Sequence, residues 1–218
     1  FTAEISTDGF ATVNAASATH ALSALFGAGG TGEPLNANTT YYFRVRADGS
    51  AGMSSTYAAA TPLSTLAAPP ITPYFQAVFI TSATVSWTAV PSEGYILEAS
   101  STGFDGSSAV TSTFTYNPSQ TVMTLSGLSN GTTYAFRVGA LNWNSRPNYE
   151  VVGATMTDKG LPGVPTGLSI LTSRQDSLSA SWGIAESAES YLLQASTAPD
   201  FGGISVDYAL SGASGEAA

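Results

Sequence analysis

Few residues of this 218-residue chain could do acid–base or metal chemistry. It has one histidine, His20, and no cysteine, so metal sites that need thiolates or two imidazoles are excluded. His20 lies between Thr19 and Ala21 in a stretch that we predict to be a strand, with its side chain exposed. The sequence also lacks a nucleophile–base pair, so we expect no catalytic residue, no metal and no cofactor in this chain.

One glycine-rich run matches a known phosphate-binding pattern. Residues 27–32 fit G-x-G-x-x-G, which holds a dinucleotide only where a strand precedes it and a helix follows it. Here the run is followed by residues 33–38, a turn sequence with Pro34, and then by another strand pattern. We therefore predict a loop insertion rather than a phosphate site.

Two asparagines stand in N-x-[ST] sequons. Asn38 and Asn130 are followed at the second position by Thr40 and Thr132. Such a sequon can accept an N-glycan in a host with the machinery. Asparagine and glycine also favour tight turns, and we expect both residues to fill turns that lead into strands.

The stretch 141–149 contains the best candidate for a ligand site. It follows a strand pattern and should form a hairpin loop, the kind of segment that carries function on a rigid scaffold. Trp143, Arg146 and Tyr149 are of the types enriched at binding hot spots, so we name them as a candidate loop for an extracellular glycan or protein. The alternative is that Trp143 packs back onto its own domain or covers its neighbour.

The composition indicates which partners the chain disfavours and in which compartment it works. The chain has 6 Lys and Arg against 15 Asp and Glu, a net charge of −9, which disfavours nucleic acid because phosphate binding needs clustered basic residues. Only 10% of the residues are charged, and serine and threonine supply about a quarter of the chain, well above average usage. No apolar run reaches the roughly 20 residues of a membrane-spanning helix. We expect an extracellular or cell-surface location without membrane insertion.

Three segments recur along the chain with a period of about 95 residues, and repeats with a fixed period are the strongest guide to architecture. The recurring pairs are residues 39–47 with 132–140, 82–87 with 177–182, and 95–100 with 191–196. Each alternates apolar and polar residues with period two, as in a half-buried strand. No sustained helical pattern is present. Short strands separated by turns predict an all-β fold of antiparallel β-sandwiches.

At these positions the sequence resembles fibronectin type III repeats, an immunoglobulin-like β-sandwich family. A Pro-rich start, Trp87, Tyr95 and the run 128–140 with its Leu-x-x-x-Thr-x-Tyr-x-Phe-Arg-Val-x-Ala order carry the likeness. The resemblance implies that Tyr134 is the tyrosine-corner residue, whose hydroxyl bonds to the backbone upstream. It also implies tandem repeats of the kind found in bacterial-type secreted or cell-surface proteins. It implies little about function, because a fold does not determine one.

The repeat pattern predicts three domains. We expect residues 63–158 to form one complete repeat, residues 1–62 a partial repeat with late strands only, and residues 159–218 a partial repeat with early strands only. On this view the chain is a fragment of a longer protein, and proline in the joints makes it a semi-rigid rod.

Three candidate functions follow. The first is a non-catalytic structural spacer of an extracellular multidomain protein, contacting neighbouring repeats and serving adhesion. The alternatives are a carbohydrate- or protein-binding module acting through the 141–149 loop, or accessory repeats of a secreted polysaccharide-degrading enzyme.

Overall fold

The computed structural model describes residues 1–107, 109–202, 205–211 and 216–217, the last two ranges by their backbone. Strands joined by turns make up almost all of the regular structure, with a single 3-10 turn at Ser50–Gly52 among the described residues. All pairings between its named strands are antiparallel. The predicted all-β class with antiparallel sheets is confirmed.

The chain forms two compact units. The first comprises Phe1–Leu128 with Thr133–Thr157, and the second Ser129–Thr132 with Asp158–Ala218. The boundary that we predict at residue 62 falls inside the first unit and stays a prediction.

The first part of unit 1 is one antiparallel sheet. Its strand order is β2-β1-β3-β4, and β5 also pairs with β3. The strands are β1 (Thr2–Ser6), β2 (Ala15–Ala18), β3 (Thr40–Arg46), β4 (Ala58–Ala59) and β5 (Leu63–Ser64).

The rest of unit 1 is a sandwich of two sheets. The three-stranded sheet has the order β10-β7-β6, and the four-stranded sheet has the order β12-β11-β8-β9. The four-stranded order matches that of the first sheet, with β8, β9, β11 and β12 in place of β1 to β4. The strands are β6 (Ile71–Val78), β7 (Ser82–Thr88), β8 (Gly94–Ser100), β9 (Thr111–Thr115), β10 (Val122–Ser126), β11 (Thr133–Leu141) and β12 (Pro147–Met156).

Alternation along these strands builds the core between the two sheets. Five large side chains of these strands belong to one buried cluster, and Tyr134 packs against it from a partly buried position. Trp87 and Tyr95 contact each other with ring centroids 5.1 Å apart. The five buried residues are Trp87, Tyr95, Leu97, Phe136 and Val138.

Tyrosine hydroxyls tie the core to nearby backbone. The amide of Asn36 donates to the hydroxyl of Tyr41, the counterpart of Tyr134, at 3.1 Å. The hydroxyl of Tyr95 both accepts from the amide of Val90 and donates to its carbonyl. Such a contact satisfies a buried phenol without disturbing the apolar ring around it.

The described residues of unit 2 form two small sheets, β13-β14-β17 and β15-β16. Trp182 and Tyr191 contact each other there at 5.6 Å, as Trp87 and Tyr95 do in unit 1. The strands are β13 (Ser169–Ser173), β14 (Leu178–Ser181), β15 (Ser190–Ser196), β16 (Ser205–Ser211) and β17 (Glu216–Ala217).

The prediction that His20 lies in a strand is wrong. His20 is exposed but lies in a bend two residues beyond the end of β2 at Ala18, not in a strand. The hydroxyl of Thr19 accepts a hydrogen bond from the amide of Ala21, and this local serine–threonine type of turn replaces the strand ladder.

No helix in the described part of the chain has the length and apolarity needed to span a membrane.

Candidate functional site

The loop that carries two of the three predicted site residues joins β11 to β12. Trp143 and Arg146 are exposed in this loop, with 59% of the Trp143 surface open to solvent. Tyr149 lies in β12 instead, half-buried, with its ring against Arg137. The three residues are thus divided between a loop and a strand.

Asn142 holds the loop in shape and is itself buried, with 1% exposure. Its Oδ1 accepts from the amides of Asn144 and Arg146 at 3.0 and 2.8 Å. Its Nδ2 donates to the carbonyls of Ser64 and Thr65 at 3.1 and 3.0 Å. Both donor hydrogens and both acceptor sites of the amide are therefore used.

Three further asparagine side chains bind either this loop or the segment from Ser64 to Ala67, which connects the first sheet to the sandwich. Oδ1 of Asn144 accepts from the amide of Ser64 at 2.7 Å, and Nδ2 of Asn148 donates to the carbonyl of Ala67 at 2.8 Å. Oδ1 of Asn38 accepts from the amide of Trp143 at 3.1 Å. We call these four asparagines (Asn38, Asn142, Asn144 and Asn148) the asparagine clamp.

The side chains of both sequon asparagines, Asn38 and Asn130, are hydrogen-bonded within the protein. Asn38 has a left-handed φ of 46°, its amide donates to the carbonyl of Leu66, and its side chain accepts from Trp143. Nδ2 of Asn130 donates to the carbonyl of Lys159 at 3.2 Å. Both side-chain amides thus have a structural partner in the turns that we predicted.

A second cluster lies on the outer face of the four-stranded sheet. Arg137 of β11 lies between the rings of Phe104 and Tyr149, with its Cζ 4.0 and 3.9 Å from the two centroids. Its Nε and Nη2 both lie 2.7 Å from Oε2 of Glu98 on β8. A guanidinium stacked on two rings and paired with a carboxylate combines cation–π attraction with charge-assisted hydrogen bonds.

The first sheet contains the same cluster. Arg44 lies 4.1 Å from the ring centroids of both Phe10 and Tyr57. Its Nε lies 2.7 Å and its Nη2 2.6 Å from Oε2 of Glu4, and the hydroxyl of Tyr57 donates to Oε1 of Glu4 at 2.9 Å. Burial raises the pKa of Glu4, but the hydrogen bonds from Arg44 and Tyr57 outweigh burial and lower that pKa.

Gly139 makes room for Tyr149. A Cβ at Gly139 would lie 2.9 Å from Cδ1 of Tyr149 and 2.9 Å from Cβ of Pro147, closer than ordinary packing permits. Burial, together with the charge of Glu98, raises the pKa of Tyr149 to about 12. The phenol is therefore neutral at physiological pH and acts as a packing and hydrogen-bonding group.

The stacked phenylalanines have a backbone conformation that is uncommon outside glycine. Phe10 and Phe104 have φ of 72° and 66°, and Phe201 of unit 2 has φ of 54°. The backbone amides of Phe10 and Phe104 donate to the hydroxyls of Ser6 and Ser100, and these hydrogen bonds help to hold the two residues in this conformation. Such strained positions persist only where surrounding contacts enforce them.

Sequence reasoning missed both the clamp and the stacked clusters. A Ser-x-x-x-Phe pattern after the third-strand motif occurs at Ser6 and Ser100 and was a usable signal. The asparagines had no such signal, because the contacts that join the loop to the rest of the chain span 77 to 105 positions.

An apolar cavity of about 530 Å³ lies against the first sheet. Phe43 and Val45 line it, at the positions that Phe136 and Val138 occupy in the buried core of the sandwich. The only acidic residue in its lining, Glu4, is already paired with Arg44. The cavity therefore has the character of a core face rather than of a catalytic pocket.

One known protein family matches part of the sequence. The sequence model of the fibronectin type III domain matches residues 69–152. This range covers the two-sheet sandwich except for the end of β12, and it includes Glu98, Phe104, Arg137 and Tyr149. No curated protein matches the sequence.

Solved structures that are similar include three β-sandwich proteins. A redesigned β-sandwich protein is 26% identical, with 41% of this chain and 91% of that chain covered and a TM-score of 0.32. A segment of two fibronectin type III domains from chicken tenascin is 18% identical, with 69% and 81% covered and a TM-score of 0.38. The fibronectin type III domain of the human collagen α-1(XX) chain is 25% identical, with 47% and 91% covered and a TM-score of 0.36.

Proposed function

We propose that the chain is a non-catalytic spacer made of tandem fibronectin type III repeats in a secreted or cell-surface protein, where it sets the distance and direction of the parts that it joins. The observation that carries this proposal is the asparagine clamp. A connecting segment without such contacts would sample many conformations. Here the segment from Ser64 to Ala67 is hydrogen-bonded to the side chains of Asn142, Asn144 and Asn148.

The energetics of the clamp support a fixed joint. Asn142 is buried, and a buried amide that lost its partners would cost about 1–3 kcal/mol. Any bending that separated the segment from the loop would break several hydrogen bonds at once. The acidic, hydroxyl-rich surface supports an extracellular location, where such spacers work.

Distance measurements between two spin labels test the joint. The chain has no cysteine, so Ala16→Cys with Ser126→Cys, both exposed strand positions, gives one unambiguous pair. We expect a narrow distance distribution in this background, and a broad one when Asn142→Ala and Asn148→Ala are added. Asn117→Ala, in an exposed turn, is the matched control and should change nothing. A distribution that is already broad without the clamp substitutions would overturn the spacer proposal.

A second candidate function is recognition of an extracellular glycan or protein through Trp143 and Arg146. The observation that favours it is an exposed indole on a loop whose backbone Asn142 and Asn38 hold in place. A preformed loop loses little entropy when it binds. A glycan array and a pull-down should lose signal for Trp143→Ala but not for Tyr74→Ala, another exposed aromatic. Binding that survives Trp143→Ala would contradict this role.

A further inference from the structure

Strand β9 is an unprotected sheet edge. Among the described strands, β8 is its only hydrogen-bonded neighbour, and β9 ends the order β12-β11-β8-β9. The segment from Ala109 to Tyr116 contains no charged residue, no proline and no glycine. Natural sheet edges usually carry lysine, proline or a bulge, because bare edges pair with other chains.

Other edges of the same sandwich do carry such features. Strand β6 has Pro73 and two register shifts against β7, and proline cannot donate to a sheet ladder. Strand β12 begins with Pro147, carries Glu150 and shifts register against β11 between Phe136 and Arg137. Strand β10 is uncharged like β9, but the one large apolar side chain that it exposes is Val122.

Two aromatic side chains stand exposed along β9 and its end. Phe114 is 61% exposed and Tyr116 is 60% exposed, and their ring centroids lie 5.5 Å apart. Phe114 is exposed and lies opposite Ile96, so its ring projects from the outer face of the sheet. The ring of Tyr116, two residues further along, projects from the same face. Aromatic pairs across neighbouring strands stabilise a sheet, so this edge offers both hydrogen bonds and apolar area.

We propose that β9 is a self-association surface on which a second copy of this chain pairs antiparallel, joining two four-stranded sheets into one. The charge distribution selects a second copy. The chain has a net charge of −9, yet residues 106–136 contain no charged side chain. A like-charged molecule is repelled from most of the surface and can approach closely where charge is absent.

A two-fold axis fits this edge. In an antiparallel pair centred on Phe114, directly opposite residues lie on the same face. Phe114 of one copy then lies opposite Phe114 of the other, and Tyr116 of each lies opposite Ser112 of the other. A closed two-fold contact uses the same patch twice and stops at a dimer. One short strand buries a small area, so the dimer exchanges rapidly.

Sedimentation velocity on the whole chain tests the proposal. We expect the average mass to rise from 22.2 kDa toward twice that value between about 10 μM and about 1 mM, the range of weak interfaces. The rise should be larger at about 0.5 M salt than at about 0.05 M, because salt screens the like charges. Phe114→Lys should abolish it, whereas Tyr74→Lys, an exposed aromatic on protected β6, should not. Equal association by wild type and both variants would place the contact elsewhere and overturn the proposal, as would a monomer at every concentration.

Cross-linking gives a second measurement that does not depend on a charge substitution. Since the chain has no cysteine, Phe114→Cys should give a disulfide-linked dimer on mild oxidation, because opposite Cα atoms in such a pair lie about 4.5–5.5 Å apart. Tyr74→Cys should stay monomeric. If Phe114→Cys cross-links no faster than Tyr74→Cys, the edge does not pair with its own copy. A Phe114-dependent complex with an unrelated β-strand peptide instead would identify a different occupant and also contradict the proposal.

Discussion

Arg44 and Arg137 occupy equivalent positions in two sheets of the same strand order, and each is stacked between a phenylalanine and a tyrosine. Each also places Nε and Nη2 on a single carboxylate oxygen, of Glu4 and of Glu98. The planar guanidinium is the reason that arginine is needed, because it can stack on two rings while its edge donates hydrogen bonds.

Arg137→Lys should therefore lower the free energy of unfolding although it keeps the charge. A lysine ammonium cannot stack between Phe104 and Tyr149, and we expect a loss of about 1–2 kcal/mol. Urea denaturation followed by tryptophan fluorescence measures it. Arg44→Lys should behave alike, and the exposed Arg174→Lys is the control. A loss below the error of the Arg174 control would show that stacking contributes nothing.

Gly139→Ala should displace Tyr149 from Arg137, because the added methyl would lie 2.9 Å from the tyrosine ring. Burial holds the pKa of Tyr149 at about 12 in the native protein, so displacement should return it toward its ordinary value of 10.0. Ultraviolet titration of the phenols measures the change. Gly49→Ala, which meets only ordinary contact, should leave the titration curve as it is.

The raised pKa of Tyr149 also makes stability depend on alkaline pH. Between pH 10.0 and about 12 the unfolded phenol loses its proton while the folded one keeps it. The unfolded state then binds fewer protons, so the free energy of unfolding falls as pH rises through this window. Tyr149→Phe should reduce that fall in a series of urea transitions, whereas Tyr74→Phe should not.

Acid should destabilise unit 1 in a second window. The amide and hydroxyl of Thr12, with the hydroxyl of Ser6, lower the pKa of Asp8 from 3.8 to about 2. Above pH 3.8 this stabilisation is complete, and it is lost as pH falls through the folded pKa, because the unfolded state takes up the proton first. Asp8→Asn should flatten the dependence of the urea midpoint on pH between about 5 and 2, and the exposed Asp176→Asn is the comparison.

Trp87 should respond differently to two substitutions. Its ring is buried at 4% exposure, so Trp87→Ala should cost about 3–5 kcal/mol through lost burial and a cavity. Its Nε1 has no hydrogen-bond partner among the described residues, so Trp87→Phe removes an unsatisfied donor and should cost much less. Thermal unfolding of both variants decides this, and equal losses would contradict the prediction.

The sequence by itself determined the strands and the core of this protein. The alternation of apolar and polar residues with period two predicts which residues are buried, because successive side chains in a strand point to opposite faces. Trp87, Tyr95, Leu97, Phe136 and Val138 are in the core for that reason. The repeated motifs also predict β8 and β11 as strands from the residue pattern alone.

Only the tertiary structure decided what the polar residues do. Asn38 and Trp143 are hydrogen-bonded across 105 positions of chain, and no local pattern encodes a partner at that distance. At His20 the cause is local instead, because the hydroxyl of Thr19 accepts a hydrogen bond from the amide of Ala21 and a bend takes the place of the predicted strand. Hydrophobic burial follows a period that can be counted along the chain, whereas a hydrogen bond depends on where the folded backbone places its partner.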